Sequence, residues 1–130
     1  MSEGPACPYC PPTEPEQVVR FADDLVMYLD DERWQGALKH SGIIVPVRHA
    51  ETVFDLTADE TAATFRMLGQ VKAWLDEAHA PDGYNVGWNA GAVAGQQVFH
   101  AHCHVIPRFA QEPLAGHGIR SHLKADHNTW

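Results

Sequence analysis

The sequence predicts an α+β domain in which about five strands form an antiparallel sheet and one main helix packs on it. Two observations support this class. Short apolar or β-branched runs separated by turn residues are spread along the chain, and one long segment, residues 57–79, has helical periodicity. A length of 130 residues suits a single domain over 1–130.

Strand-like composition defines the sheet. The first two strands are predicted as a hairpin around an Ala-Asp-Asp turn, and a continuous apolar run, GIIVPV, is typical of a buried strand that ends at its proline. Two more strands are joined by a turn rich in glycine and alanine. The predicted strands are 18–21, 25–29, 42–47, 84–88 and 97–109.

The main helix begins at a capping box, in which Thr57 accepts from the Glu60 N–H and Glu60 reaches back. Proline and glycine after position 80 predict its end near His79. Its apolar stripe is expected to contain Phe65, Leu68, Val71, Leu75 and Ala78. Because Met67 and Trp74 widen this stripe, we expect the helix to contact both its own sheet and a second subunit.

Charge and hydropathy exclude several classes of function. With 9 Lys and Arg against 17 Asp and Glu, the formal net charge is −8, which argues against binding nucleic acid or an anionic membrane. The first residues lack the basic and apolar regions of a signal peptide, and no apolar run approaches the length of a membrane span. We therefore expect a soluble, cytoplasmic protein.

The most informative segment is HAHCHVIPRF, residues 100–109. In a strand, His100, His102 and His104 would point the same way, about 7 Å apart. Chemistry alone leaves two interpretations open. Two of these imidazoles could be ligands of a catalytic zinc ion, or one could be a nucleophile, since neutral histidine is nucleophilic near pH 7.

A second motif is Cys7-Pro8-Tyr9-Cys10, whose two thiolates on one turn are typical of half a structural zinc site. A redox role is the alternative, but the surrounding prolines do not fit the strand and helix that flank a thioredoxin motif. Two more ligands are needed, and His49 and His100 are the candidates. If His100 joins them, His102 and His104 are left for chemistry.

The pattern H-A-H-C-H-V-I resembles the signature of the histidine triad (HIT) family. CPYC, FADDLVMYLD, GIIVPVRH and NAGAVAGQQVFHAHCHVIPR extend the resemblance over about residues 7–109, leaving 110–130 as a C-terminal tail. The resemblance implies the HIT fold and a homodimer with a continuous sheet.

The resemblance also implies roles for the histidines. His102 corresponds to the family's nucleophile, which attacks the α-phosphorus of a nucleotide and forms a nucleotidyl-histidine that water then hydrolyses. His104 would assist at the phosphate. His100 corresponds to a zinc ligand, which supports a structural zinc on Cys7, Cys10, His49 and His100, with no catalytic metal required at the triad.

For substrate contacts, the resemblance implies Asp30 at the ribose hydroxyls and a phosphate-side loop containing Asn89, Gly95, Gln96 and Gln97. The expected substrate is a purine nucleotide with a substituted α-phosphate, such as a dinucleoside polyphosphate. A purine nucleoside phosphoramidase is the first alternative and a non-catalytic nucleotide-binding module the second. A metalloenzyme with zinc at all three triad histidines is a third hypothesis.

Overall fold

A computed structural model describes residues 7–11, 17–31 and 38–124. Five strands form one antiparallel sheet in the order β1-β2-β3-β5-β4, and one 22-residue helix is the main helical element. This confirms the predicted α+β class. The elements are β1 Gln17–Ala22, β2 Val26–Asp31, β3 Gly42–Pro46, α1 Ala58–His79, β4 Gly83–Gly87, β5 Cys103–Arg108 and a short α2, Ser121–Lys124.

The sheet buries a cluster of side chains on each face. Strand alternation sends neighbouring residues to opposite faces. The cluster beneath α1 contains Val26, Tyr28, Ile44, Ala63, Met67, Val71, Leu75, Cys103 and Val105. The cluster built from the alternate strand positions contains Tyr9, Met27, Leu29, Ile43 and Val45. The central strand β3 is therefore buried along its whole length, as its apolar run predicted.

Helix α1 begins and ends where its sequence predicts, but its buried stripe differs from the expectation. The buried residues are Glu60, Ala63, Thr64, Met67, Val71 and Leu75. Phe65 is 54% exposed and Ala78 is also exposed, because a turn of 3.6 residues places them beside this face. Met67 is buried in the chain's own core, and Trp74 packs against Phe21, so both residues have contacts within the chain.

Strand β5 is shorter than predicted, since it begins at Cys103 rather than at residue 97. Its pairing with β3 runs only over Gly42–Ile44. Further along β3, Pro46 lacks an N–H for the ladder, and its carbonyl accepts from His100 Nε2 instead, at 2.8 Å. His100 and His102 therefore precede the strand, and only His104 lies within it.

Arg108, the last residue of β5, fixes part of the C-terminal tail. Its guanidinium donates to both carboxylate oxygens of Glu112 at 2.9 Å and to the carbonyls of Leu114 and His117. It also donates to Asn85 Oδ1 on β4. Residues 125–130, the end of the predicted tail, lie outside the described residues, as do residues 32–37 between β2 and β3. No described helix has the length and apolarity to cross a membrane.

The buried carboxylate of Glu60 anchors the start of α1. It accepts from the Thr57 N–H at 2.8 Å and from Arg48 Nε and Nη2 at 3.0 and 2.8 Å. The Thr57 hydroxyl accepts from the Glu60 N–H, which completes the predicted capping box. The hydrogen bond from Arg48 is the main reason why the pKa of Glu60 is lowered. An ionised Glu60 is therefore the form that stabilises the fold.

We expect Glu60→Gln to flatten the dependence of stability on pH. A lowered pKa in the folded state adds stability above the unfolded-state pKa of roughly 4.3, and this is lost as pH falls through the folded value. Glutamine keeps an oxygen for the Thr57 N–H but does not titrate. Urea unfolding between pH 7 and pH 3 should give the wild type the larger free energy of unfolding at neutral pH. The free energies of the two proteins should become similar as the pH falls towards 3.

Glu77→Gln, which removes an exposed carboxylate from the same helix, controls for the change in net charge. A difference between wild type and Glu60→Gln that stays constant from pH 7 to pH 3 would contradict the assignment.

Candidate functional site

Four side chains from three separate parts of the chain converge on one point. Cys7, Cys10, His49 and His100 each direct one donor atom inward, and these atoms all lie within 4.8 Å of one another. Cys10 Sγ is 2.9 Å from Nδ1 of both histidines, and Cys7 Sγ is 3.7 Å from His49 Nδ1 and 3.4 Å from His100 Nδ1. No disulfide joins the two cysteines. The predicted metal-ligating residues are therefore brought together.

The donor set fits zinc. Zn²⁺ binds thiolate sulfur at roughly 2.3 Å and imidazole nitrogen at about 2.0 Å in a tetrahedron, so its ligands lie roughly 3 to 4 Å from one another. His100 adds a second observation, since its Nε2 donates to the Pro46 carbonyl at 2.8 Å. That bond places the proton on Nε2 and leaves Nδ1 as an acceptor facing the sulfurs, which is the usual outer-shell arrangement of a zinc histidine.

The imidazole of His102 is held by a hydrogen bond to the backbone of His100, two residues earlier. Its Nδ1 donates to the carbonyl of His100 at 2.9 Å, which places the ring proton on Nδ1 and leaves the lone pair on Nε2. The side chain is 9% exposed, and burial lowers the pKa of His102. The structure thus has the hydrogen bond that a nucleophilic imidazole needs, and His102 is not among the four clustered ligands.

His104 is the neighbour of His102 within the triad. Their ring centroids are 5.0 Å apart with the planes inclined at 72°. His104 is half-buried, and burial, with a smaller effect of His102, lowers the pKa of His104. A neutral imidazole at this place can donate a hydrogen bond to an oxygen bound between the two rings.

The loop before the triad contains the four predicted phosphate-side residues, and they fall into two groups. Asn89 and Gln97 are exposed, and Gly95 has a φ of +101°, a conformation that glycine adopts readily. A Cβ on Gly95 would lie 3.6 Å from Asn89 Nδ2, so the Asn89 amide sits directly over this glycine. These three residues remain candidates for ligand contacts.

Gln96 behaves differently, since it is only 2% exposed and its amide is fully engaged with the backbone. Its Oε1 accepts from the Gly91 N–H at 2.8 Å, and its Nε2 donates to the carbonyls of Glu51 and Val98 at 2.6 and 3.0 Å. The side chain thus joins three backbone segments. Its role in the described structure is to shape the loop, and a phosphate contact would require these bonds to break.

Asp30 is placed away from the triad histidines. It alternates with Tyr28 and Val26, which belong to the cluster beneath α1, so the register of β2 puts it on the helix side of the sheet. Its carboxylate accepts from Arg20 Nε at 2.9 Å, and the Arg20 guanidinium lies 4.9 Å from the centroid of a Trp74 ring. The expected contact with ribose hydroxyls stays a prediction.

The sequence interpretation did not assign a role to Tyr9, which lies between the two cysteines. Its ring is 8% exposed and makes edge contacts with His100 and His102, at centroid distances of 5.8 and 5.7 Å. The signal was present in the motif, because a turn that brings both thiolates to one metal also fixes the residues between them.

A family model described as the HIT domain matches residues 12–111. The chain belongs to the HIT family. This confirms the resemblance read from the histidine pattern, and the match includes all three triad histidines together with His49.

Three similar proteins illustrate the range of the family. Adenylylsulfatase HINT3 from Arabidopsis thaliana is 31% identical over 109 residues, 82% of this chain and 54% of that protein. The asymmetrical bis(5'-nucleosyl)-tetraphosphatase of Schizosaccharomyces pombe is 32% identical over 51% of this chain and 36% of that protein. A Zn-bound histidine triad family protein from Mycobacterium smegmatis shares the fold, with a TM-score of 0.71 at 22% identity over 87% of this chain and 82% of that one.

The chain spans about half the length of curated relatives that it matches. The comparisons and the site together support a HIT domain with hydrolase relatives and a Cys/His group able to hold zinc.

We expect the purified protein to hold about one zinc per chain, and to lose it when a ligand is removed. Cys10→Ser and His100→Ala each leave three donors, so elemental analysis after dialysis should show little zinc. His102→Ala and His104→Ala should retain zinc as the wild type does, because neither residue belongs to the four-donor cluster. Zinc lost from His102→Ala would instead indicate a metal bound at the triad.

Proposed function

We propose that this protein is a nucleotidyl hydrolase or transferase that acts at the α-phosphate of a purine nucleotide carrying a substituent on that phosphate. The observation that carries the proposal is the hydrogen bond from His102 Nδ1 to the His100 carbonyl, which leaves the lone pair on Nε2 of a histidine outside the four-donor cluster. An imidazole held in one tautomer by a backbone group is oriented for in-line attack without a metal at the phosphate.

The proposed reaction has two steps. The lone pair of His102 Nε2 forms a P–N bond to the α-phosphorus while the bond from phosphorus to the leaving group breaks, and the leaving group departs with that electron pair. Water then attacks the same phosphorus, the P–N bond breaks with its electrons returning to Nε2, and the nucleoside monophosphate is released with a proton from the water.

His104 is proposed to stabilise the charge on the phosphate oxygens in both steps. Its ring is 5.0 Å from that of His102, which is the right scale for both rings to contact one phosphate. Asn89 and the backbone around Gly95 would supply further donors from the loop, since both are accessible at its surface. Gln96 would act indirectly by holding that loop in shape.

A zinc ion on the four ligands would cross-link the N-terminal turn to the sheet and would not take part in bond making. Because two thiolates must stay reduced to hold the metal, we include a reducing, cytoplasmic location in the proposal. The names of the two relatives describe enzymes acting on adenylyl sulfate and on a dinucleoside tetraphosphate, and we favour a dinucleoside polyphosphate over a phosphoramidate.

We expect a covalent nucleotidyl adduct on His102 during turnover. Diadenosine tetraphosphate and an adenosine phosphoramidate, each labelled in the adenosine, would be mixed with enzyme and quenched in alkali, because a P–N bond to histidine is labile to acid. Peptide mass spectrometry should place the adduct on His102. His102→Ala should abolish the adduct and lower kcat by about three orders of magnitude or more, and His104→Ala should lower it roughly 100-fold.

The same experiment separates an enzyme from a binding module. If neither compound gives an adduct or turnover while both bind, the protein is a nucleotide-binding module and the catalytic proposal fails.

We also propose a homodimer that pairs α1 and the outer edge of β4. Among the described strands, β4 has a neighbour on one side only, and Phe65 of α1 is 54% exposed with its ring 6.3 Å from that of Trp88. Sedimentation should find a dimer that Phe65→Glu shifts towards monomer. Val18→Glu, on the opposite edge strand and 43% exposed, is the matched control and should leave the dimer intact. A monomeric wild type, or equal effects of both changes, would contradict the proposed interface.

A further inference from the structure

Tyr9 connects the four-ligand cluster with the triad. The ring stands almost perpendicular to that of His100, at 88°, and at 60° to that of His102, with centroids 5.8 and 5.7 Å away. Both are edge contacts of the kind that aromatic rings prefer. Tyr9 also belongs to the buried cluster on the sheet that contains Met27 and Leu29. The ring therefore contacts both the buried side chains of the sheet and the imidazole of His102.

The hydrogen bond from Nδ1 does not by itself fix the His102 ring. One bond restrains one atom, and the imidazole can still tilt about it. Two neighbouring rings restrain this tilt, because the ring centroids of Tyr9 and His104 lie 5.7 and 5.0 Å from that of His102. Because Nε2 lies on the far side of the ring from Nδ1, even a modest tilt would move the attacking atom out of line with phosphorus.

The position of Tyr9 depends in turn on the two cysteines. It lies between Cys7 and Cys10 in a turn closed by a Cys10 N–H to Cys7 carbonyl bond of 3.4 Å. That bond is long and therefore weak, so ligation of the two sulfurs would add a strong restraint to the turn. Both sulfurs point at His49 and His100, and a zinc ion there would lock the turn, and with it the tyrosine, against the sheet.

We propose that Tyr9 is a positioning residue through which zinc binding orders the imidazole of His102. The inference rests on the proposed function, since it assigns a purpose to the orientation of the proposed nucleophile. It gives the turn of residues 7–10 a role beyond attaching the N-terminal segment to the sheet. Metal bound by the four-ligand cluster would determine how well His102, which is not a ligand, is aligned.

The test compares Tyr9→Leu, which removes the ring, with Tyr9→Phe, which keeps it. Each zinc-loaded protein is analysed by long-range ¹H–¹⁵N correlation of the histidine rings, with His102 assigned by its absence from His102→Ala. In Tyr9→Leu we expect the His102 nitrogen signals to move from a single Nδ1-protonated form towards a mixture of tautomers and to broaden. Tyr9→Phe should give the wild-type signals.

Kinetics provide a second measurement. Tyr9→Leu should lower kcat about tenfold or more with KM changed less than about twofold, because alignment matters in the transition state rather than in binding. Tyr9→Phe should match the wild type. A rise in KM alone, with His102 signals unchanged, would show that Tyr9 is only a wall of the binding pocket and would overturn the proposal.

Zinc removal from the wild type tests the link without any substitution. Chelation followed by the same spectra, with no substrate present, should change the His102 signals in the direction seen for Tyr9→Leu, and restoring zinc should reverse the change. Unaltered His102 signals in the zinc-free protein would overturn the proposal. If Tyr9→Leu fails to hold zinc, Tyr9→Met, which has a similar length without a ring, replaces it.

The two proposals fail separately. If His102 responds to Tyr9 and to zinc as expected but no nucleotide is turned over, the positional link stands and the proposed reaction does not. If turnover proceeds through a His102 adduct while the His102 signals respond neither to Tyr9→Leu nor to zinc removal, the proposed reaction stands and the positional link does not.

Discussion

The hydrogen bond between His100 Nε2 and the carbonyl of Pro46 is the contact on which the site depends. It occurs where the ladder between β3 and β5 ends, because a proline offers a carbonyl but no N–H. The bond turns Nδ1 of His100 towards the two sulfurs, and it fixes the residue whose own backbone carbonyl accepts from His102 Nδ1. One fully buried imidazole thus sets the geometry of both the metal ligands and the nucleophile.

This arrangement explains which parts of the structure could be predicted from the sequence. The helix limits follow from local chemistry at Thr57 and Glu60, and the metal ligands follow from counting thiolates and imidazoles. The extent of the histidine strand did not follow, since strand-like composition continues through 97–109 while the backbone pairing does not. Beyond the paired residues, the His100 side chain bonds to the carbonyl of Pro46, which lies more than fifty residues earlier, and no local pattern shows that contact.

The surroundings of Asp30 are a second feature that the sequence alone did not predict. A shift of one residue in the pairing register moves every side chain of a strand to the opposite face of the sheet. Pairing with Gly42 and alternation with Tyr28 place Asp30 on the helix side, where Arg20 takes up its charge. Gln96 is another example, since it is a polar residue near the proposed active site whose side-chain amide is hydrogen-bonded to backbone groups. For both residues, the hydrogen-bond partners are known only once the chain is folded.

The described site divides into a buried part and an exposed part, and the division bears on specificity. His102 and Gln96, which the proposal links to attack and to loop shape, are buried and bonded to backbone carbonyls or N–H groups. Asn89 and Gln97, the candidates for ligand contacts from the loop, are exposed and can change without disturbing that framework. A family built in this way can keep one way of attacking phosphorus while its members differ in what they expel. Relatives named for adenylyl sulfate and for a dinucleoside tetraphosphate differ in this way, so our proposal assigns selection of the leaving group to the exposed loop and the attack to the buried histidines.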